Sequence, residues 1–267
     1  MESKRKKKNK NFINNNKPNQ DDKNQNGNKN NINDTSKEKV KYFLMFPLED
    51  GNFIETFNSI SNKLKNEKPK DFDENLLIKP QKLHITLAVL DINENKEKTE
   101  IIINSINSLL NSIKDIIDNE LFFNFDKFDV FGTITKSYVI FAKMIEDENH
   151  YKLKMITNLI ISKLIEQQII NKSDLSKFNI SEEYSDSQLI YVIKFHCTLL
   201  NIKYLNTVLE EENKPLKTNI DATQILQCIK NIKFPECKID KINLCAMRED
   251  SSNGKYEIIH SFQLFQN

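Results

Sequence analysis

One six-residue pattern occurs twice in this chain and constrains its fold more than any other feature. Lys82-Leu83-His84-Ile85-Thr86-Leu87 returns as Lys194-Phe195-His196-Cys197-Thr198-Leu199. A β-strand sends successive side chains to opposite faces. On such strands Lys82, His84 and Thr86 share one face, and Leu83, Ile85 and Leu87 the other. Lys194, His196 and Thr198 are likewise set against Phe195, Cys197 and Leu199. With four His and eleven Thr in 267 residues, chance placement gives only about 0.16 His-x-Thr triplets. Two strands of this kind, each polar on one face and apolar on the other, call for a fold that brings two equivalent sheets to one cleft.

The rest of the chain fits that frame. Val40-Lys41-Tyr42-Phe43-Leu44-Met45-Phe46 reads as a buried strand ended by Pro47. Residues 52–65 carry apolar side chains at helical spacing, as do 96–118 and 151–170. Pro80 disfavours helix just ahead of the first motif, and residues 82–92 read as its strand. Residues 121–131 and 138–144 read as a hairpin joined through Gly132-Thr133. Residues 171–188 are polar and Ser-rich and read as a mobile insertion. The second motif strand is expected over 189–202, followed by a polar connection over 203–220. Asp221 is then expected to cap a short helix ending at Ile229. Residues 237–247 and 256–265 alternate about a turn at 251–254, a closing hairpin. The order β-α-β-α-β-β-α-β-α-β-β predicts an α+β fold of two similar β-sheet lobes, with flanking helices around a central cleft. On this reading the second half of the chain resembles the first, one lobe each.

Composition divides the chain at about residue 38. Residues 1–38 are Asn, Lys and Asp with almost no apolar side chains, too little to offset the entropy of ordering them. They read as a disordered basic tail before a domain spanning 39–267. Six of the Lys and Arg fall in residues 1–10, which leaves 33 basic and 37 acidic side chains beyond them. A body with that balance is no general polyanion binder. Lys4-Arg5-Lys6-Lys7-Lys8 is a candidate nuclear address, set against a simple extension of the Asn/Lys bias. Cys197, Cys228, Cys237 and Cys245 form no CxxC and no zinc spacing, so they are expected to pack as reduced thiols. No run approaches the roughly eighteen apolar residues of a membrane span. The chain is expected to be intracellular, nuclear by its basic run or cytoplasmic, without metal, cofactor or membrane partner.

Paired His-x-Thr motifs on strands of two lobes resemble the 2H phosphoesterase superfamily, whose fold is the two-lobed, LigT-like one. Further stretches resemble one branch of it: Tyr42 to Leu48, then Phe195 to Asn201 with Tyr204 beyond, and Ile220 to Leu226 with Ile242 to Cys245. That branch holds the phosphoesterase-like domains of A-kinase anchoring protein 7 and of activating signal cointegrator 1 complex subunit 1. The resemblance covers about residues 40–265. It implies metal-independent work on 2′,5′-linked or 2′,3′-cyclic RNA phosphodiesters. It also leaves a second reading, a non-catalytic RNA- or nucleotide-binding subunit of a nuclear transcription-coactivator or repair complex that uses the same cleft.

The residues support the first reading on their own chemistry. Two imidazoles facing each other, each titrating near neutrality when unperturbed, can serve as general base and general acid. The catalytic candidates are therefore His84, Thr86, His196 and Thr198, with the Thr hydroxyls donating to the non-bridging phosphate oxygens. Which imidazole is the base stays open at this point. Lys82 and Lys194 are candidates for a flanking phosphate, set against lysines that merely point to water. His150 and His260 lack a Thr two residues on and are expected to be surface or packed. Tyr42, Phe46 and Tyr138 are either base-stacking or core aromatics. Cys197 faces away from the polar side and is expected to pack.

Overall fold

The computed structural model describes residues 41–92, 95–114, 120–178, 180–185 and 187–265. The expected tail with its basic run, and the helical register beyond Lys114, lie outside the described residues. Within them, eleven strands and five α-helices follow the chain. The strands are β1 (Tyr42–Pro47), β2 (His84–Leu90), β3 (Leu121–Phe123), β4 (Phe125–Thr133), β5 (Lys136–Met144), β6 (Ile180–Ser185), β7 (Gln188–Ile193), β8 (His196–Asn201), β9 (Cys237–Ile239), β10 (Lys241–Glu249) and β11 (Tyr256–Gln263). The helices are α1 (Gly51–Glu67), α2 (Lys96–Ile113), α3 (Glu148–Glu166), α4 (Ile202–Glu211) and α5 (Thr223–Ile229).

The helices form where apolar spacing and caps agree. In α1 Phe53, Phe57, Ile60 and Leu64 make one buried stripe. The Asp50 carboxylate accepts from the Phe53 N–H at 3.1 Å. The helix stops where Lys68 turns left-handed and donates back to the Leu64 carbonyl. Asn95 caps α2 and Asp147 caps α3 in the same way. These stripes bury against one face of a seven-stranded sheet ordered β11-β10-β1-β2-β8-β5-β4. Leu44, Phe46, Ile85, Leu87, Ile140, Cys197, Leu199, Ile242 and Leu244 belong to that same contiguous core. A small second cluster of Phe43, Met45 and Cys245 lies on the opposite face, with Val89 and Tyr256 packed against it.

The two motif strands are the middle of the sheet, and the recorded pair joining them is Ile85 with Cys197. Two lobes meet there, as expected, but they are not the two halves of the chain. One lobe combines β1 and β2 with β10 and β11, from the two ends of the domain. The other is β4, β5 and β8, from its middle. Each motif strand also carries an irregularity at the same place. The β1 register passes from Thr86 to Ala88, leaving Leu87 as an extra residue, and the β5 register passes from Thr198 to Leu200, leaving Leu199. Both are β-bulges directly after the motif Thr. Two consecutive buried residues follow in each strand, Leu87-Ala88 and Leu199-Leu200.

Several expectations need correction. The stretch 171–188, expected as a mobile insertion, carries regular structure in its described residues. Residues 172–178 form 3₁₀ turns, and β6 pairs with β7 in a hairpin whose Ile180 and Ile193 are partners and buried. That hairpin docks on α3, where the Asn158 side chain accepts from the Tyr191 N–H at 2.7 Å. The second motif strand is broken, with β7 ending at Ile193 and β8 starting at His196. Lys82 likewise precedes its strand, closing a 3₁₀ turn that Pro80 opens. The polar connection over 203–220 begins with α4, which buries Ile202 and Leu205. Ala222 is the N-cap of α5. Asp221 helps from one residue earlier, accepting from the Thr223 N–H at 3.0 Å.

Candidate active site

In an antiparallel ladder, the neighbours of a facing pair are also opposite each other. Around Ile85 and Cys197 this sets His84 across from Thr198, and Thr86 across from His196. All four are half-buried while the residues between them are buried, so one face of the sheet centre collects the whole quartet.

Both rings are held by the backbone in the same way. His84 Nδ1 lies 2.7 Å from the Lys82 carbonyl oxygen, and His196 Nδ1 lies 2.7 Å from the Lys194 carbonyl oxygen. A carbonyl oxygen only accepts, so each Nδ1 carries a hydrogen and each Nε2 is the nitrogen left to face the cleft. Thr86 Oγ1 lies 3.0 Å from His84 Nε2. With His84 neutral, the Thr86 hydroxyl donates this bond. The local chain explains both clamps. The Pro80 turn closes as the Leu83 N–H donates to the Pro80 carbonyl, which exposes the Lys82 carbonyl to the ring. In the second copy the link Lys194-Phe195 is pinned by the buried Phe195 side chain.

Aromatic walls repeat the symmetry. The His84 ring sits 5.4 Å from Phe43 and edge-on to Tyr256 at 5.5 Å. The His196 ring sits edge-on to Phe131 at 4.8 Å and to Phe141 at 5.2 Å. These walls take water away from the rings, and desolvation disfavours the charged imidazolium. Burial accordingly pushes His84 down to about 4, against the Lys82 carbonyl bond that favours its charged form. His84 also feels the charge of His196, which marks the two rings as electrostatic neighbours. His196 is lowered too, first by burial and then by the nearby Lys194 ammonium.

The two lysines do more than point to water. Lys82 Nζ stands 5.0 Å over the Tyr256 ring and bonds Glu249 Oε2 at 2.6 Å, with only 15% of its side chain exposed. Glu249 is held at its other side by Lys79, and the two ammonium groups together pull its carboxyl down to about 2. Lys194 Nζ stands 4.9 Å from the Phe141 ring and 5.1 Å from that of Phe131. Among the described residues it makes no ion pair. Tyr256 in turn is hydrogen-bonded to Tyr204 of α4, and burial raises both phenols.

The remaining candidates separate cleanly. Tyr42 and Phe46 are core side chains, closed to any base. Tyr138 is 48% exposed and stacks on Phe131 at 6.1 Å with 20° between the planes. His150 lies in the first turn of α3 behind the sheet, edge-on to Phe195 at 5.6 Å, and His260 packs on Phe262. Burial pushes the Cys197 thiol up, away from nucleophilic use. Among the described residues no group of three or more His, Cys, Asp or Glu gathers as metal ligands would. Phe43, Phe131, Phe141, Tyr204 and Tyr256 were not candidates from the sequence. Phe43, Phe131, Phe141 and Tyr256 come to the quartet through strand pairing, and Tyr204, six residues beyond Thr198, through its bond to Tyr256.

Residues 40–264 match the family described as the AKAP7 2′5′ RNA ligase-like domain. No curated protein sequence matches the chain. Among solved structures, TT0787 of Thermus thermophilus is similar over 84% of this chain and 97% of its own, at 14% identity and a TM-score of 0.51. That likeness is one of fold. E. coli LigT complexed with 3′-AMP covers 85% of this chain and 99% of its own, at 12% identity and a TM-score of 0.46. Kluyveromyces marxianus Usb1 covers 85% and 98%, at 10% identity and a TM-score of 0.42.

Proposed function

The chain belongs to the AKAP7 2′5′ RNA ligase-like family, a branch of the 2H phosphoesterases, and is a phosphodiesterase of that type; from that premise we propose that it cleaves RNA phosphodiesters, 2′,5′-linked or 2′,3′-cyclic, by two-histidine acid–base catalysis without a metal. The observation that carries this reading is the doubled clamp. Two imidazoles with the same fixed tautomer face one cleft, each with Nε2 turned to it. Pure binding has no use for that arrangement, and proton transfer needs it.

His84 is assigned as the base. Held near 4 by burial, it is neutral at physiological pH and keeps the lone pair on Nε2. His196 is assigned as the acid. In turnover, water attacks phosphorus and its proton passes to His84 Nε2. The bond from phosphorus to the leaving ribose oxygen breaks, and His196 Nε2 gives that oxygen its proton. The charge that builds on the non-bridging oxygens is met by the Thr86 and Thr198 hydroxyls. Thr86, bonded to His84 Nε2 in the free protein, turns from the ring to the phosphate. Solvent exchange then returns both rings to their starting states. Lys194, held over two aromatic rings, supplies a positive charge beside the His196 end of the substrate.

The test is a turnover assay in EDTA with the wild-type chain, offering a 2′,5′-linked oligoadenylate and an RNA ending in a 2′,3′-cyclic phosphate. Cleavage of at least one is expected, and the preferred one fixes the substrate class. Cleavage of neither would overturn the proposal.

A further inference from the structure

Lys82 lines a cavity of about 420 Å³ that the acid–base reading does not use. Its lining includes the apolar Leu77, Ile78 and Val208 and the polar Lys79, Lys82, Tyr204 and Glu249. A cavity of that size falls in the range that takes nucleotide-sized ligands. It is joined to the quartet through Lys82 and Tyr256. Lys82 lends its carbonyl to His84 and rests its ammonium over Tyr256, and Tyr256 stands edge-on to the His84 ring.

The ammonium groups of this cavity are preset. Lys82 is mostly covered and fixed at both its carbonyl and its Nζ. Lys79 Nζ bonds both oxygens of the same Glu249 carboxylate, at 2.8 and 2.9 Å. Two cations thus converge on one carboxylate, an excess of positive charge that a single Glu does not balance. The other carboxylate lining the cavity, Glu74, is paired with Lys65 at 3.3 Å. Glu249 ends β10, keeps 38% of its side chain exposed, and is bonded at a surface where such pairs contribute little.

We propose that Lys79 and Lys82 form a second anion subsite, that the Glu249 carboxylate fills it in the free protein, and that a further phosphate of the substrate displaces Glu249 from it. The inference rests on the proposed oligonucleotide substrate only for the source of that phosphate. A terminal phosphate monoester offers more acceptor oxygens and more charge than a carboxylate, so the same two donors hold it more strongly. Its nucleoside would lie on Leu77, Ile78 and Val208. Glu249 then acts as a selectivity gate, since a substrate with no phosphate at that distance leaves the gate closed.

The experiment titrates the full chain with inorganic phosphate by calorimetry, and follows the backbone amides of Lys79, Gln81, Lys82 and Glu249 by NMR. Two phosphate sites are expected. Glu249→Gln should tighten the one sensed by those amides about tenfold, a gain that misfolding cannot imitate, and Lys79→Ala should weaken it at least about tenfold. His196→Ala should leave it in place. The proposal is overturned if Glu249→Gln leaves phosphate affinity unchanged, or if phosphate never perturbs those amides. A chain that binds phosphate as expected but cleaves no oligonucleotide would keep the subsite and sink the proposed reaction instead.

Discussion

At the scale of residues, the proposed function depends on where protons sit. The clamp from each Lys carbonyl fixes the Nδ1 hydrogen, and the aromatic walls set how readily Nε2 takes a second proton. Both shifts are downward, and the sign of their effect on rate follows. The base must be neutral, so kcat/KM should rise as pH climbs through the value near 4 held by His84. The acid must be protonated, so kcat/KM should fall again as pH climbs through the value of His196, which burial holds below 6.5. A pH–rate profile of the free enzyme should therefore peak on the acid side of 6.5, and a rate still rising above neutrality would contradict the assignment. The His and Thr of the quartet were legible in the sequence because the motif repeats. Their aromatic walls were not, since Tyr256 and Phe131 are local to neither motif. The two motif lysines were legible as residues and misplaced as structure. Each stands outside its strand, so its backbone carbonyl reaches the ring.

At the scale of elements, the devices that aim these side chains are irregularities in the sheet. The bulges at Leu87 and Leu199 let the strands stay buried beyond the quartet. In the β4–β5 hairpin that carries Phe131 to His196, Gly132 lies within β4 at φ +95°, where the register shifts and Gly132 pairs with Ser137 just ahead of the turn at Ile134 and Thr135. A methyl group there would run into the Lys136 carbonyl oxygen. Gly132→Ala should cost about 1–3 kcal/mol, read as a lower urea midpoint, and should reduce turnover by disturbing Phe131. An unchanged midpoint would show that the hairpin tip absorbs the methyl freely. The hairpin was legible from the sequence, but Gly132 and Thr133 belong to β4 and the turn falls at Ile134 and Thr135. The β6–β7 hairpin and α4 were not. Ser and Glu at 181–183 hide the pairing of Ile180 with Ile193. α4 carries Ile202, Leu205, Val208 and Leu209 at helical spacing, a short stripe obscured by the long polar run that follows it from Glu210 to Asn219.

At the scale of the whole molecule, the two lobes meet where the quartet lies. The ends of the domain supply one lobe and its middle supplies the other, an interleaving that no local pattern announces. A sequence read from left to right suggests a repeat, while strand pairing between β1 and β10 decides otherwise. The recorded pair between the motif strands, Ile85 with Cys197, is fully buried. Ile85→Ala should therefore cost about 2–5 kcal/mol in unfolding free energy. It should also lower kcat at temperatures where the chain is still folded, because it loosens His84 against His196. Loss of stability with an unchanged kcat would separate the joint from the site.

The central claim is that two imidazoles, with no metal, carry the reaction. Its most direct test is kcat for the wild type, His84→Ala and His196→Ala on the preferred oligonucleotide, in EDTA, with folding of each variant checked by its unfolding midpoint. Each substitution should lower kcat by about 10²–10⁴-fold, the contribution of one positioned acid or base. Either variant turning over at the wild-type rate while folded would contradict the account.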